Sequence, residues 1–116
     1  MISPKLLAVH QPQADEAVLE LGLPTDHPAF AGHFPDQPIL PGVVQVDWAV
    51  RLAAELLGTE RLAATDLQVK FRRVIQPLKP LSLTLRVDRS KGTLSFEYRC
   101  DGEIASTGRI KLEEAS

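Results

Sequence analysis

The chain has a single cysteine, Cys100, so no disulfide can form within it and no thiolate metal cluster can be built from one copy. That suits a reducing compartment. No apolar run approaches the roughly 18 residues of a membrane span, and Met1 to His10 lack the basic stretch followed by an apolar core that marks a leader peptide. A cytoplasmic location without membrane contact is therefore expected. Charge of one sign is lacking too: 13 basic against 15 acidic residues give a net charge of −2. Such a balance offers nucleic-acid phosphates no footprint over the whole domain. There is no internal repeat and no low-complexity tract.

What is present suits one folded unit spanning 1–116. An apolar fraction of 44% with 24% charged residues reads as globular rather than disordered. From Ala17 to Leu23 apolar side chains alternate with others, which predicts a strand with one buried face, and Lys5 to Val9 predicts a shorter one. Between Pro24 and Gly42 stand Pro24, Pro28, Pro35, Pro38 and Pro41 with Gly32 and Gly42, which excludes helix and disfavours strand pairing. Phe30, Phe34, Ile39 and Leu40 lie among those prolines and would be costly to leave in water. An ordered, proline-stiffened loop is expected, and an apolar loop of that length inside a compact domain is usually functional.

Helix is predicted from about Gly42 to Leu57, with Gly58 as its stop and no proline inside. On a 3.6-residue wheel Val43, Val46, Val50, Ala53, Ala54 and Leu57 make one apolar face, and Ala49, Leu52 and Leu56 a second. The polar strip is Asp47, Arg51 and Glu55, plus Gln45, so most of the helix is expected to be buried against a sheet. The remainder alternates with period two: Leu67, Val69 and Phe71, then Leu81 to Val87, then Leu94 to Cys100. Ser90 to Gly92 and Asp101-Gly102 are turn signals, Asp-Gly favouring tight hairpins with positive φ. A last strand from Glu103 to Leu112 completes an antiparallel meander. The fold class is α+β, an antiparallel sheet around one long helix.

The segment from Gly32 to Asp47 carries His33-Phe34-Pro35, then Pro38-Ile39-Leu40-Pro41-Gly42, then a helical carboxylate fourteen positions after the histidine. It resembles the signature of the β-hydroxyacyl-ACP dehydratases of bacterial fatty-acid synthesis, which have the hotdog fold. The tail Asp47-Trp48-Ala49-Val50 looks more like the dehydratases of aryl-polyene gene clusters. Val69-Lys70-Phe71-Arg72-Arg73-Val74-Ile75-Gln76-Pro77-Leu78 resembles the family's strand after the helix, and Asp101 to Ala105 its last hairpin.

The resemblance implies removal of water from a (3R)-3-hydroxyacyl group carried on the phosphopantetheine of acyl carrier protein, giving a trans-2-enoyl thioester. His33 and Asp47 would be the catalytic pair, meeting from opposite chains of a homodimer or of a heterodimer with another hotdog protein. Gly42, with Val43, Pro41 and Phe34, would surround the substrate. The residue types suit the chemistry independently. Histidine, with an ordinary pKa of about 6.5, can take the C2 proton near neutrality. A carboxyl group in an apolar pocket can stay protonated or orient the departing hydroxyl. A helix start offers free N–H groups and a positive dipole end to the developing enolate oxygen. No metal and no other cofactor is expected.

Plainer readings stand beside these. His33 taken alone is a loop histidine bonded to main chain, and only the surrounding motif lifts it. His27 and His33 lack a carboxylate or cysteine at familiar metal-ligand spacing. Asp47 can simply pair with Arg51, and Arg51 with Glu55, along a solvated helix. Asp36 reads as a turn residue, Trp48 as packing and Cys100 as an inert core thiol. Lys70, Arg72, Arg73 and Lys79 are candidates for the acidic face of acyl carrier protein, or a solvated strand face. Two other functions are compatible with the sequence, an acyl thioesterase on the same fold and a non-catalytic partner subunit.

Overall fold

Leu81, Leu83, Leu85 and Val87 alternate with polar residues, and in the computed structural model, which describes residues 3–30 and 39–114, they line the buried face of a strand. The strands are β1 (Lys5–Gln13), β2 (Glu16–Gly22), β3 (Leu62–Phe71), β4 (Leu81–Asp88), β5 (Thr93–Cys100) and β6 (Glu103–Glu114), and the helix α1 is Gly42–Leu57. A short 3-10 turn, Pro28–Phe30, follows β2. The six strands form one antiparallel sheet in the order β1-β2-β4-β5-β6-β3. With α1 against one face, this is the α+β hotdog arrangement expected.

Helix bounds coincide with the expected ones. Pro41 caps the start in an extended conformation, and Gly58 ends the helix in the left-handed region at φ 71. Arg89 Nη2 donates to the last-turn carbonyl of Leu57 at 2.6 Å. Ala17, Leu19 and Leu21 from β2, the four apolar residues of β4, and Leu94, Phe96 and Tyr98 from β5 meet Trp48, Ala49, Leu52 and Ala53 in one core. The Asp101-Gly102 turn takes φ of 55 and 81, as an Asp-Gly hairpin requires.

Three features depart from the pattern reading. β1 continues past Val9 to Gln13 although it contains Pro12, because it is an edge strand whose outer side needs no donor. β3 does not neighbour β4: the chain from Arg72 to Pro80 carries it from one edge of the sheet to the centre, so the meander is β4-β5-β6 and β3 lies beyond β6. The face of α1 that packs on the sheet runs through Gln45, Trp48, Ala49, Leu52, Ala53 and Leu57, whereas Val43, assigned to a buried face, is 78% exposed.

Candidate functional site

The proline that ends the loop also starts the helix. Pro41 has φ −62 and ψ 146, and its carbonyl accepts the N–H groups of Val44 and Gln45 at 3.1 Å each. The amides of Gly42 and Val43 come before these first bonds, at the positive end of the helix dipole. That is where an oxygen gaining negative charge is best stabilised. The ring of Phe71 lies close over Gly42, where a Cβ would come 2.6 Å from its Cζ, so any other residue at 42 would have to move that half-exposed ring.

Asp47 sits on the side of α1 turned away from the sheet, with Val43 fully open and Val46 and Val50 half-buried. Its carboxylate accepts from Arg51 Nε at 2.9 Å, the i,i+4 pair the plain reading anticipates. Arg51 also reaches Ser3 Oγ at 3.3 Å. Asp47 therefore stands at the head of the polar strip that runs on through Arg51 and Glu55, with Val43, Val46 and Val50 beside it. On the strand side Leu67 and Phe71 point to the same face of the sheet as the core, yet are 52% and 56% exposed.

His33 and Phe34, expected at the site, and Asp36 lie outside the described residues. Where the loop returns, Leu40 is buried and its N–H bonds to the Ile75 carbonyl at 2.8 Å, which anchors the approach to Pro41. Lys70, Arg72, Arg73 and Lys79 are all exposed, and Arg73 pairs with Glu103 at 3.1 Å. Trp48 matches its plain reading, fully buried, while Cys100, expected in the core, is only partly buried and packs against the core's edge.

Gln45, Tyr98 and Ser106 form a buried polar cluster beneath the helix start that the pattern reading misses. Tyr98 donates its hydroxyl to the main-chain carbonyl of Gln45 at 2.7 Å. Ser106 donates to Gln45 Oε1 at 2.7 Å, and Gln45 Nε2 donates to the Leu40 carbonyl at 3.1 Å. Burial, and then the charge of Asp47, push the Tyr98 hydroxyl far above its ordinary value, so it remains a donor. The available signal was the wheel itself, on which Gln45 falls in line with Ala49 and Leu52. His27 is buried as well: Ala29 donates its N–H to Nδ1 at 3.1 Å, Nε2 bonds the Ser3 carbonyl at 2.8 Å, and the ring meets Trp48 edge-on.

A groove of about 830 Å³ lies on the opposite face of the sheet, lined by polar residues including Lys70, Arg86, Glu97 and Arg109. It is separated from Gly42 and Asp47 by the sheet itself, so it is not where an acyl chain would meet them. Among the described residues no three His, Cys, Asp or Glu side chains gather to hold a metal, and no helix is long and apolar enough to cross a membrane.

Comparison with known proteins gives a consistent likeness. The model of the ApeI-like family, described as ApeI dehydratase, matches residues 9–109. The 3-hydroxyacyl-[acyl-carrier-protein] dehydratase FabZ of Rickettsia bellii is 30% identical over an alignment of 96 residues that covers 73% of this chain and 66% of that protein, just under two thirds of its length. A chain of the dehydratase heterocomplex ApeI:P from Xenorhabdus doucetiae superposes with a TM-score of 0.91 at 38% identity, covering 97% of this chain and 100% of that one. A protein of uncharacterised function from Erwinia carotovora subsp. atroseptica follows at 0.82 and 33%, with 96% of each chain covered.

Proposed function

The chain belongs to the ApeI-like dehydratase family, and on that premise we propose that it converts a (3R)-3-hydroxyacyl thioester on acyl carrier protein to the trans-2-enoyl thioester, in fatty-acid or aryl-polyene type biosynthesis. His33 takes the C2 proton, the electron pair moves toward the thioester carbonyl, and the C3 hydroxyl leaves as water with a proton delivered at Asp47. The Gly42 N–H, with Val43 beside it, steadies the enolate oxygen. Pro41 and Phe34 belong to the wall of the substrate pocket, and the phosphopantetheine arm brings the thioester to it. A cytoplasmic location goes with this role.

The observation that carries this reading is the position of Asp47: one and a half turns into a helix whose start offers free amides, beside the apolar Val43, Val46 and Val50 on a side that its own sheet leaves uncovered. A second hotdog chain is the natural cover for that face. The similar Xenorhabdus doucetiae structure is a heterocomplex, which favours an unlike partner over a second copy. Lys70, Arg72, Arg73 and Lys79 are our candidates for the carrier-protein contact.

Incubation with a 3-hydroxyacyl-acyl carrier protein, alone and with a partner subunit, tests the reading. An enoyl thioester that no longer forms with His33→Ala supports it. Release of free acid and free thiol would instead identify a thioesterase. Activity that requires a mixture, and persists with His33→Ala in this chain, would make it a non-catalytic partner.

A further inference from the structure

Two hydroxyls from neighbouring strands converge on one residue of the helix start. Tyr98 of β5 and Ser106 of β6 are register partners, both with no exposed surface. Tyr98 holds the main chain of Gln45 and Ser106 holds its side-chain oxygen. With Oε1 committed to Ser106, the amide has one orientation left, and Nε2 points at the Leu40 carbonyl. An apolar side chain of similar volume would fill the same space but take from the Ser106 hydroxyl and the Leu40 carbonyl their partner, so the amide is there for what it holds.

What the amide holds explains it. The Leu40–Pro41 peptide is planar, and the ring of Pro41 locks its φ, observed at −62. Between the Leu40 carbonyl and the Gly42 N–H there remains one soft torsion, ψ of Pro41. That torsion is fixed in turn by the Pro41 carbonyl, which lies in the same peptide plane as the Gly42 N–H and accepts from Val44 and Gln45. Gripping the Leu40 carbonyl and bonding the Pro41 carbonyl together hold both ends of the turn, so the Gly42 N–H keeps one direction only while both grips are in place.

We infer that Gln45 is a positioning residue: its side-chain amide, oriented by Ser106, fixes the turn from Leu40 to Gly42 and so aims the Gly42 N–H at the thioester oxygen. This rests on the proposed dehydration, since the oxygen in question belongs to the 3-hydroxyacyl thioester. Gln45 does not touch substrate. A misaimed donor forfeits stabilisation that grows only as charge develops, so the effect falls on kcat rather than KM.

Ser106→Ala and Gln45→Met are compared with wild type in the full chain, together with its partner subunit if activity needs one. Steady-state kinetics on a 3-hydroxyacyl-acyl carrier protein are read beside the NMR shifts and exchange rates of the Gly42 and Val43 amides. Thr107→Ala, the next residue of β6 and on its outer face, is the control. Ser106→Ala is expected to lower kcat about tenfold, less than outright loss of an oxyanion donor, with little change in KM. Gln45→Met lowers it further, both variants shift the Gly42 and Val43 amides and speed their exchange, and Thr107→Ala changes neither readout. An unchanged kcat, or a fall in kcat with the Gly42 amide unmoved, overturns the inference. If Gln45→Met does not fold, Ser106→Ala decides alone. A wild type that dehydrates nothing removes the proposed function, whereas the amide measurement needs no turnover and still decides whether Gln45 sets the turn.

Discussion

Tyr98 is the only tyrosine in the chain, and its hydroxyl is buried against the helix start beside the charge of Asp47. Ionising it in place means putting an anion into the core, so the folded chain keeps the proton well above the ordinary value of about 10. Unfolding releases it. The contribution is full below pH 10 and is lost as pH rises, by up to about 1.4 kcal/mol per unit. Alkaline titration followed at the tyrosinate absorbance should therefore give no signal until the chain unfolds, and Tyr98→Phe should flatten the fall in stability above pH 10. A smooth titration of a folded chain near pH 10 would contradict the burial. Asp47 is the opposite case: exposed, with one surface partner, it should tolerate Asp47→Asn with a stability change within about 0.5 kcal/mol by urea unfolding. Its proposed role lies elsewhere, so the same variant should lose at least about 100-fold in dehydration rate. The roles proposed for Gly42 and Asp47 come from the resemblance of the segment, while their places, at the helix start and on α1, were legible because Pro41 and Gly58 bound the helix locally. Gln45 was not, since a polar side chain on a helix reads as solvated until the strands bearing Tyr98 and Ser106 are seen beneath it.

At the scale of elements, punctuation was the readable part. Pro41 and Gly58 delimit α1, and Asp101-Gly102 fixes the last hairpin, because backbone restrictions act locally. Which side of α1 packs was not readable. Both sides are apolar, and a wheel does not say where the sheet stands. Nor was the course of β3: nine residues with two prolines separate it from β4, and such a connection carries no hairpin signal. The sheet also holds a close approach that patterning does not reveal. The ring of Phe96 lies over Gly108 of the adjacent strand, where a Cβ would come within 2.1 Å of Cε2. Gly108→Ala must push that ring or its strand aside, and should lower stability by about 1–3 kcal/mol in thermal or denaturant unfolding. A change near zero would mean that β5 and β6 adjust freely.

For the whole molecule, the open side is the informative one. Val43 on α1 and Leu67 and Phe71 on β3 are exposed apolar residues, and β3 is a sheet edge with unpaired backbone groups. Exposed patches and bare edges of this kind mark association surfaces. Assembly across this face should be blocked by Leu67→Glu or Val43→Glu, read as a shift to a single-chain elution volume in gel filtration, without loss of the helical signal. Unaltered assembly in both variants would move the interface to another surface. The test closest to the central claim is the dehydration of a 3-hydroxyacyl-acyl carrier protein by the assembled enzyme, with the change made in this chain alone. His33→Ala and Asp47→Asn should each reduce enoyl-thioester formation by at least about 100-fold while assembly is preserved; full activity in either variant would contradict the assignment of the catalytic pair to this chain.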